Sequence, residues 1–203
     1  TGTISGVGQL IVESGASLIT YETPLSESGG FGPIIIGPST SFQGIVVKRN
    51  TRYANGQYSF VSSPIKYNEG VTGQSIGSNV YKYEESESAD ENDLARWVDA
   101  SSEVLQPARG YTQAFQQEIS FLGAVNTGTI YYEGTFENDG WQLVGNPYPA
   151  AIDILDFLDE NTSTTGAIYL WDDNGSDRER GSNNDYITVN NLGAIDINGP
   201  DNA

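Results

Sequence analysis

The sequence predicts an all-β protein, an antiparallel β-sandwich of jelly-roll type carrying one short helix near residues 152–159. Three observations predict it. Short apolar or aromatic runs alternate with Gly, Pro, Asn and Asp turn signals at spacings of about eight to twelve residues. Glycine is frequent, at 24 of 203 residues. The hydrophobic fraction is only 37%, so the core must lean on 12 Tyr, 7 Phe and 3 Trp, which bury much area each.

Residues 1–49 read as an N-terminal β segment. It would form a separate layer, one rung of a solenoid, or a donor strand. Gln9–Glu13 and Ala16–Thr20 read as two strands around Ser14-Gly15, Pro33–Ile36 is an apolar run, and Phe42–Lys48 reads as a strand. A sandwich domain over residues 50–203 follows. Asn55-Gly56, between Arg52–Ala54 and Gln57–Val61, is a hairpin signal, because a type I′ turn needs positive φ at both central positions. Asn79–Tyr83, Tyr111–Phe115, Glu118–Leu122, Thr129–Glu133, Trp141–Val144, Ala167–Trp171 and Tyr186–Val189 read as strands. Glu84–Asp93 is a solvated acidic loop, with one helical turn allowed over Asp93–Val98. Ile152, Leu155 and Leu158, after Pro149, give the helix.

The domain holds an internal pseudo-repeat. Tyr58-Ser-Phe60-Val61-Ser-Ser-Pro64 matches Trp141-Gln-Leu143-Val144-Gly-Asn-Pro147, and Val80-Tyr81-Lys-Tyr83-Glu-Glu85 matches Ile168-Tyr169-Leu-Trp171-Asp-Asp173. The halves run over about 58–133 and 141–203. The second lacks counterparts of the Arg109-Gly-Tyr111, Glu118–Phe121 and Thr129–Tyr132 segments. Such a unit leaves a sheet edge open to a strand from a neighbour, with residues 1–49 as the natural donor. The start at Thr1, without methionine, reads as a mature or excised piece.

Charge and composition exclude several functions. With 27 acids against 9 bases the net charge is −18, which disfavours nucleic acid and anionic membrane surfaces. The chain has no Cys, Met or His. Ser-His-Asp and Cys-His nucleophile systems and His or thiolate metal sites are therefore impossible.

The segments Gly140-Trp-Gln-Leu-Val-Gly-Asn-Pro-Tyr-Pro-Ala-Ala-Ile-Asp153 and Gly166-Ala-Ile-Tyr-Leu-Trp-Asp-Asp173, preceded by Tyr58–Pro64, Val80–Tyr83 and Arg109–Phe115, resemble surface and secreted proteins of Bacteroidetes. In those proteins the region commonly lies upstream of a C-terminal type IX secretion sorting domain. The resemblance spans roughly residues 45–190. It implies a secreted or cell-surface β-rich stalk or adhesion module, and it supplies no catalytic residues. The chain departs from the pattern at its end, where the usual Gly-Gln-Gly-Phe-Phe strand and sorting domain do not follow.

The candidate sites are few. Asp172, Asp173, Asn174 and Asp177 crowd oxygen ligands onto a Gly-bent loop, a Ca²⁺ candidate, although the spacing is not that of an EF-hand and the stretch also reads as an exposed turn. Trp97, Trp141 and Trp171 are candidates for stacking on sugars. Trp141 and Trp171 read as core, which leaves Trp97 as the ligand-binding candidate. Asn161 and Asn174 head glycosylation sequons. With 27 acids, a pair at the separation needed for glycoside hydrolysis carries no information, so no enzyme is expected. The expected function is a non-catalytic structural or adhesive module of a larger surface protein or filament. A carbohydrate-binding module is the alternative, and a polysaccharide hydrolase the third reading. The expected partners are neighbouring domains or copies of the same protein, and glycans.

Overall fold

The structure, a computed structural model, describes residues 19–22, 45–50, 58–73, 76–87, 94–114, 118–171 and 186–196. The chain falls into two compact units, residues 1–151 and 152–203. It is all-β: ten strands lie in mostly antiparallel sheets with one α-helix, and no sheet closes into a barrel among the described residues.

The first unit has two sheets. In one, β1 (Ile19–Glu22) runs parallel to β2 (Ile45–Asn50), and β2 pairs antiparallel with β7 (Glu118–Gly123). The division expected at residues 49/50 therefore falls inside a paired strand. The other sheet holds β3 (Tyr58–Val61), β4 (Ser78–Tyr83), β5 (Trp97–Asp99) and β6 (Tyr111–Ala114), in the order β3-β6-β4-β5. All four residues of β6 are buried, as suits a strand inside the sheet. Val61, Val80 and Tyr111 from this sheet join Ile119 and Phe121 of β7 in one core, together with Ile65, Ile76, Ala100, Leu105 and Val125. The buried Tyr111 keeps its hydroxyl satisfied by accepting the Gln106 N–H at 2.9 Å.

The second unit pairs β8 (Ala167–Trp171), β9 (Tyr186–Asn190) and β10 (Gly193–Asp196) in the order β10-β9-β8. Trp171 meets Tyr186 edge-on, with ring centroids 5.0 Å apart. The helix, α1 (Ile154–Glu160), starts where Asp153 caps it: the carboxylate accepts the N–H groups of Leu155 and Asp156. Leu158 is its buried residue.

Three expectations are corrected. Thr129–Glu133 and Trp141–Val144 are not strands; their links are an isolated bridge between Val144 and Arg109 and side-chain bonds such as Tyr132 to Gln142. Trp141 is not core, at 51% exposure. The inward position of its segment is Leu143, which lies so close to Gly110 that a β-carbon there would come within 2.6 Å of Leu143 Cγ. β10 lies where no strand was expected. The Asn55-Gly56 turn and the segments 9–13 and 33–36 lie outside the described residues.

Candidate functional site

The four-stranded sheet gathers aromatic side chains on one face. Opposed residues on neighbouring strands share a face, as do residues two apart on one strand. Phe60 faces Thr112 across β3 and β6, Tyr81 faces Asp99, and Tyr83 faces Trp97 across β4 and β5. Tyr58, Phe60, Tyr81, Tyr83 and Trp97 thus line one side, each half-buried. Trp97 packs edge-on against Tyr83, with centroids 5.3 Å apart at 72°, and lies 6.2 Å from Phe60. Such contacts hold the indole in place.

A bulge aims this face. The register between β4 and β6 shifts between Ser78 and Tyr81, and Asn79 there has φ 52°. The Thr112 hydroxyl fills the gap in the ladder: it accepts the Tyr81 N–H at 3.1 Å and donates to the Asn79 carbonyl at 3.4 Å.

Directly after β4, Glu85 is buried, at 1% exposure. Its carboxylate accepts the backbone N–H groups of Glu137, Asn138 and Gly140 and the Thr135 hydroxyl. Gly140, with φ 76°, supplies the conformation that a side chain rarely adopts. Hydrogen bonds from the Glu137 and Gly140 N–H groups outweigh burial and, with those from Asn138 and Thr135, lower the Glu85 pKa to about 2. Asn138 completes the clamp by donating to the Glu85 carbonyl at 2.7 Å. Beside it the buried Arg96, 4% exposed, donates to the Tyr83 hydroxyl, the Glu87 carbonyl and Asp139. Tyr83 therefore joins the aromatic face to the clamped 135–140 loop.

At the end of β4, Lys82 contacts Glu103 at 2.7 Å and Glu84 at 3.0 Å, and Arg109 contacts Glu84 at 2.7 Å. Burial pushes the Glu84 carboxyl up, but hydrogen bonds from Lys82 and Arg109 prevail and hold it below its usual range. Burial lowers the Lys82 pKa, but its bonds to Glu103 and Glu84 prevail and raise it.

The two proline motifs of the first unit meet at Asn126. This buried amide donates to the carbonyls of Ser63, Ile65 and Pro147. Ser63 closes a turn on the Ile65 N–H. Asn146 does the same on the Tyr148 N–H at 2.9 Å and donates to the Ala150 carbonyl.

Residues 3–200 match the family described as Domain of unknown function (DUF8693). The chain belongs to that family. Neither the curated proteins nor the solved structures include a match to it.

Of the residues singled out in the sequence, Trp97 lies on β5, an outer strand of the four-stranded sheet, packed as described. The Ca²⁺ candidates Asp172, Asp173, Asn174 and Asp177 lie outside the described residues. Among the described residues no three acidic side chains converge as a metal site. The sequence reading missed Glu85, which looks like one acid of a solvated run. Only its position next to an aromatic strand, opposite the Glu137-Asn-Asp-Gly140 turn, hints at its burial.

Proposed function

We propose that this chain is a non-catalytic structural or adhesive module of a larger extracellular protein, displayed on the cell surface or assembled into a filament. The observation that carries the reading is Glu85. Its carboxylate, the most strongly shifted acid among those described, is held ionised by four donors of one loop. A catalytic acid or base needs a pKa near its working pH and access to substrate. Glu85 has neither, and the Lys82–Glu84–Glu103–Arg109 network likewise ties the end of β4 to the connection between β5 and β6.

The same reading takes the first unit as a sandwich-type packing, supported by the core that draws side chains from both of its sheets. Export by the type IX route follows from the motif resemblance. Contact with neighbouring copies or domains by strand donation is supported by the outer strands β3, β5, β8 and β10, each with one paired neighbour among the described residues. Deleting residues 1–203 in frame from the parent polypeptide tests the function: surface adhesion of the cells should fall while the parent is still exported. Turnover of a polysaccharide by the purified chain, lost on replacing one acid, would replace this reading with a hydrolase.

Carbohydrate binding through Trp97 is the second reading. The half-buried indole keeps part of its surface open on an aromatic face, beside Asp99, the residue paired with Tyr81. Glycan binding lost in Trp97→Ala, with the fold retained, is the expected result.

A further inference from the structure

A groove of about 560 Å³ on the first unit is lined by Tyr67, Gln106, Pro107, Thr129, Ile130 and Tyr131, none of them a residue of the Trp97 face. It is shallow and largely open to solvent. Tyr131 is 87% exposed and Tyr67 53%, so two aromatic rings stand open in one concavity. The chain on both sides of Thr129–Tyr131 is tied down. The Tyr148 hydroxyl donates to the Gly128 carbonyl at 2.6 Å, and the Tyr132 hydroxyl donates to Gln142, fixing the segment between them. Tyr67 opens a single 3₁₀ turn that ends at Gly70, left-handed with φ 70°. The Gln106–Arg109 turn closes with an Arg109 N–H to Gln106 carbonyl bond and carries Ala108 at φ 63°. A non-glycine residue there is strained, and strain persists where the surroundings demand it.

We propose that this groove binds a pyranose unit of an uncharged glycan; the proposal rests on the adhesive reading and gives it a ligand. The two tyrosine rings and Pro107 offer apolar faces to the C–H face of a sugar ring. Gln106 brings an amide that donates and accepts, and Thr129 a hydroxyl, matching the paired donor and acceptor character of sugar hydroxyls. The lining carries no charged side chain, and the chain's net charge of −18 repels uronic or sulfated sugars. The groove is wide open to solvent, which suits a unit within a longer chain.

The test is binding to immobilised neutral oligosaccharides of glucose, mannose, galactose and xylose, followed by titration of any ligand found. Tyr131→Ala and Tyr67→Ala, both at exposed positions, should melt like the wild type and bind roughly tenfold more weakly or worse. Tyr131→Phe should restore binding, and Leu192→Ala, at an exposed position of the other unit, should leave it unchanged. Amide signals of residues 106 and 129–131 should shift on adding the sugar. Binding that survives both alanine substitutions, or that disappears only in Trp97→Ala, overturns the groove. Failure of the wild type to bind any neutral glycan also overturns it, whereas the adhesive reading stands or falls separately on the in-frame deletion.

Discussion

The side-chain amide of Asn126 donates to the Pro147 carbonyl at 2.9 Å, and the same nitrogen reaches the carbonyls of Ser63 at 3.2 Å and Ile65 at 3.3 Å. One NH₂ group has two protons for three acceptors, so one bond is shared. The Ser62-Ser-Pro64 and Gly145-Asn-Pro147 turns are thereby joined. Asn126→Ala would leave buried carbonyls unsatisfied and should cost about 2–3 kcal/mol in denaturant unfolding. Asn126→Asp should cost more, since it turns an acceptor toward those carbonyls.

Glu85 makes stability depend on acid. Its folded pKa is depressed to about 2 from an ordinary 4.5. Its contribution is therefore complete above the ordinary value and is lost as pH falls from there toward 2. Thermal melts of the wild type should drop through that window. Glu85→Gln should melt lower at neutral pH and show a flatter acid limb. Amides of residues 137, 138 and 140 should also exchange faster in the variant. An unchanged acid limb in Glu85→Gln would assign the acid sensitivity to other carboxylates.

Ala108 and Gly145 make a contrasting pair. The Gly145 N–H donates to the Ala108 carbonyl at 3.0 Å. A β-carbon on Gly145 would lie 2.5 Å from Ser62 Cβ, so Gly145→Ala should destabilise by about 1–3 kcal/mol. Ala108→Gly should instead stabilise, by up to about 1 kcal/mol, because glycine relieves the left-handed backbone. Opposite signs in the two melts are the expected outcome.

Thr112 is the test of the bulge. Thr112→Val keeps the β-branched shape but removes the hydroxyl that serves Tyr81 and Asn79. It should cost about 1–2 kcal/mol, and amide shifts should spread along β4 toward Tyr83. A neutral Thr112→Val would mean that water replaces the hydroxyl.

Much of the fold was legible. Period-2 patterns located β3, β4, β6, β7, β8 and β9, and Pro149 with the Ile152, Leu155 and Leu158 spacing located the helix. What misled was the fate of backbone hydrogen bonds. Trp141–Val144 and Thr129–Glu133 have strand-like composition, but the first meets its neighbour through an isolated bridge flanked by the Gly110 N–H to Leu143 and Gly145 N–H to Ala108 bonds rather than a strand ladder. The second is tied by its Tyr132 side chain. β10 hides in a Gly-Ala-Ile-Asp run too short and polar to be read. The site was less legible, because burial of an acid such as Glu85 depends on a loop more than fifty residues away in the chain.

The central claim, a module that holds on without doing chemistry, is tested most directly by incubating the purified chain with surface-bound polysaccharides and weighing the glycan afterwards by mass spectrometry. The account predicts retention of the chain on at least one surface with every glycan mass unchanged. Shortened glycans with new reducing ends, whose appearance stops when a single Asp or Glu is replaced, would contradict it.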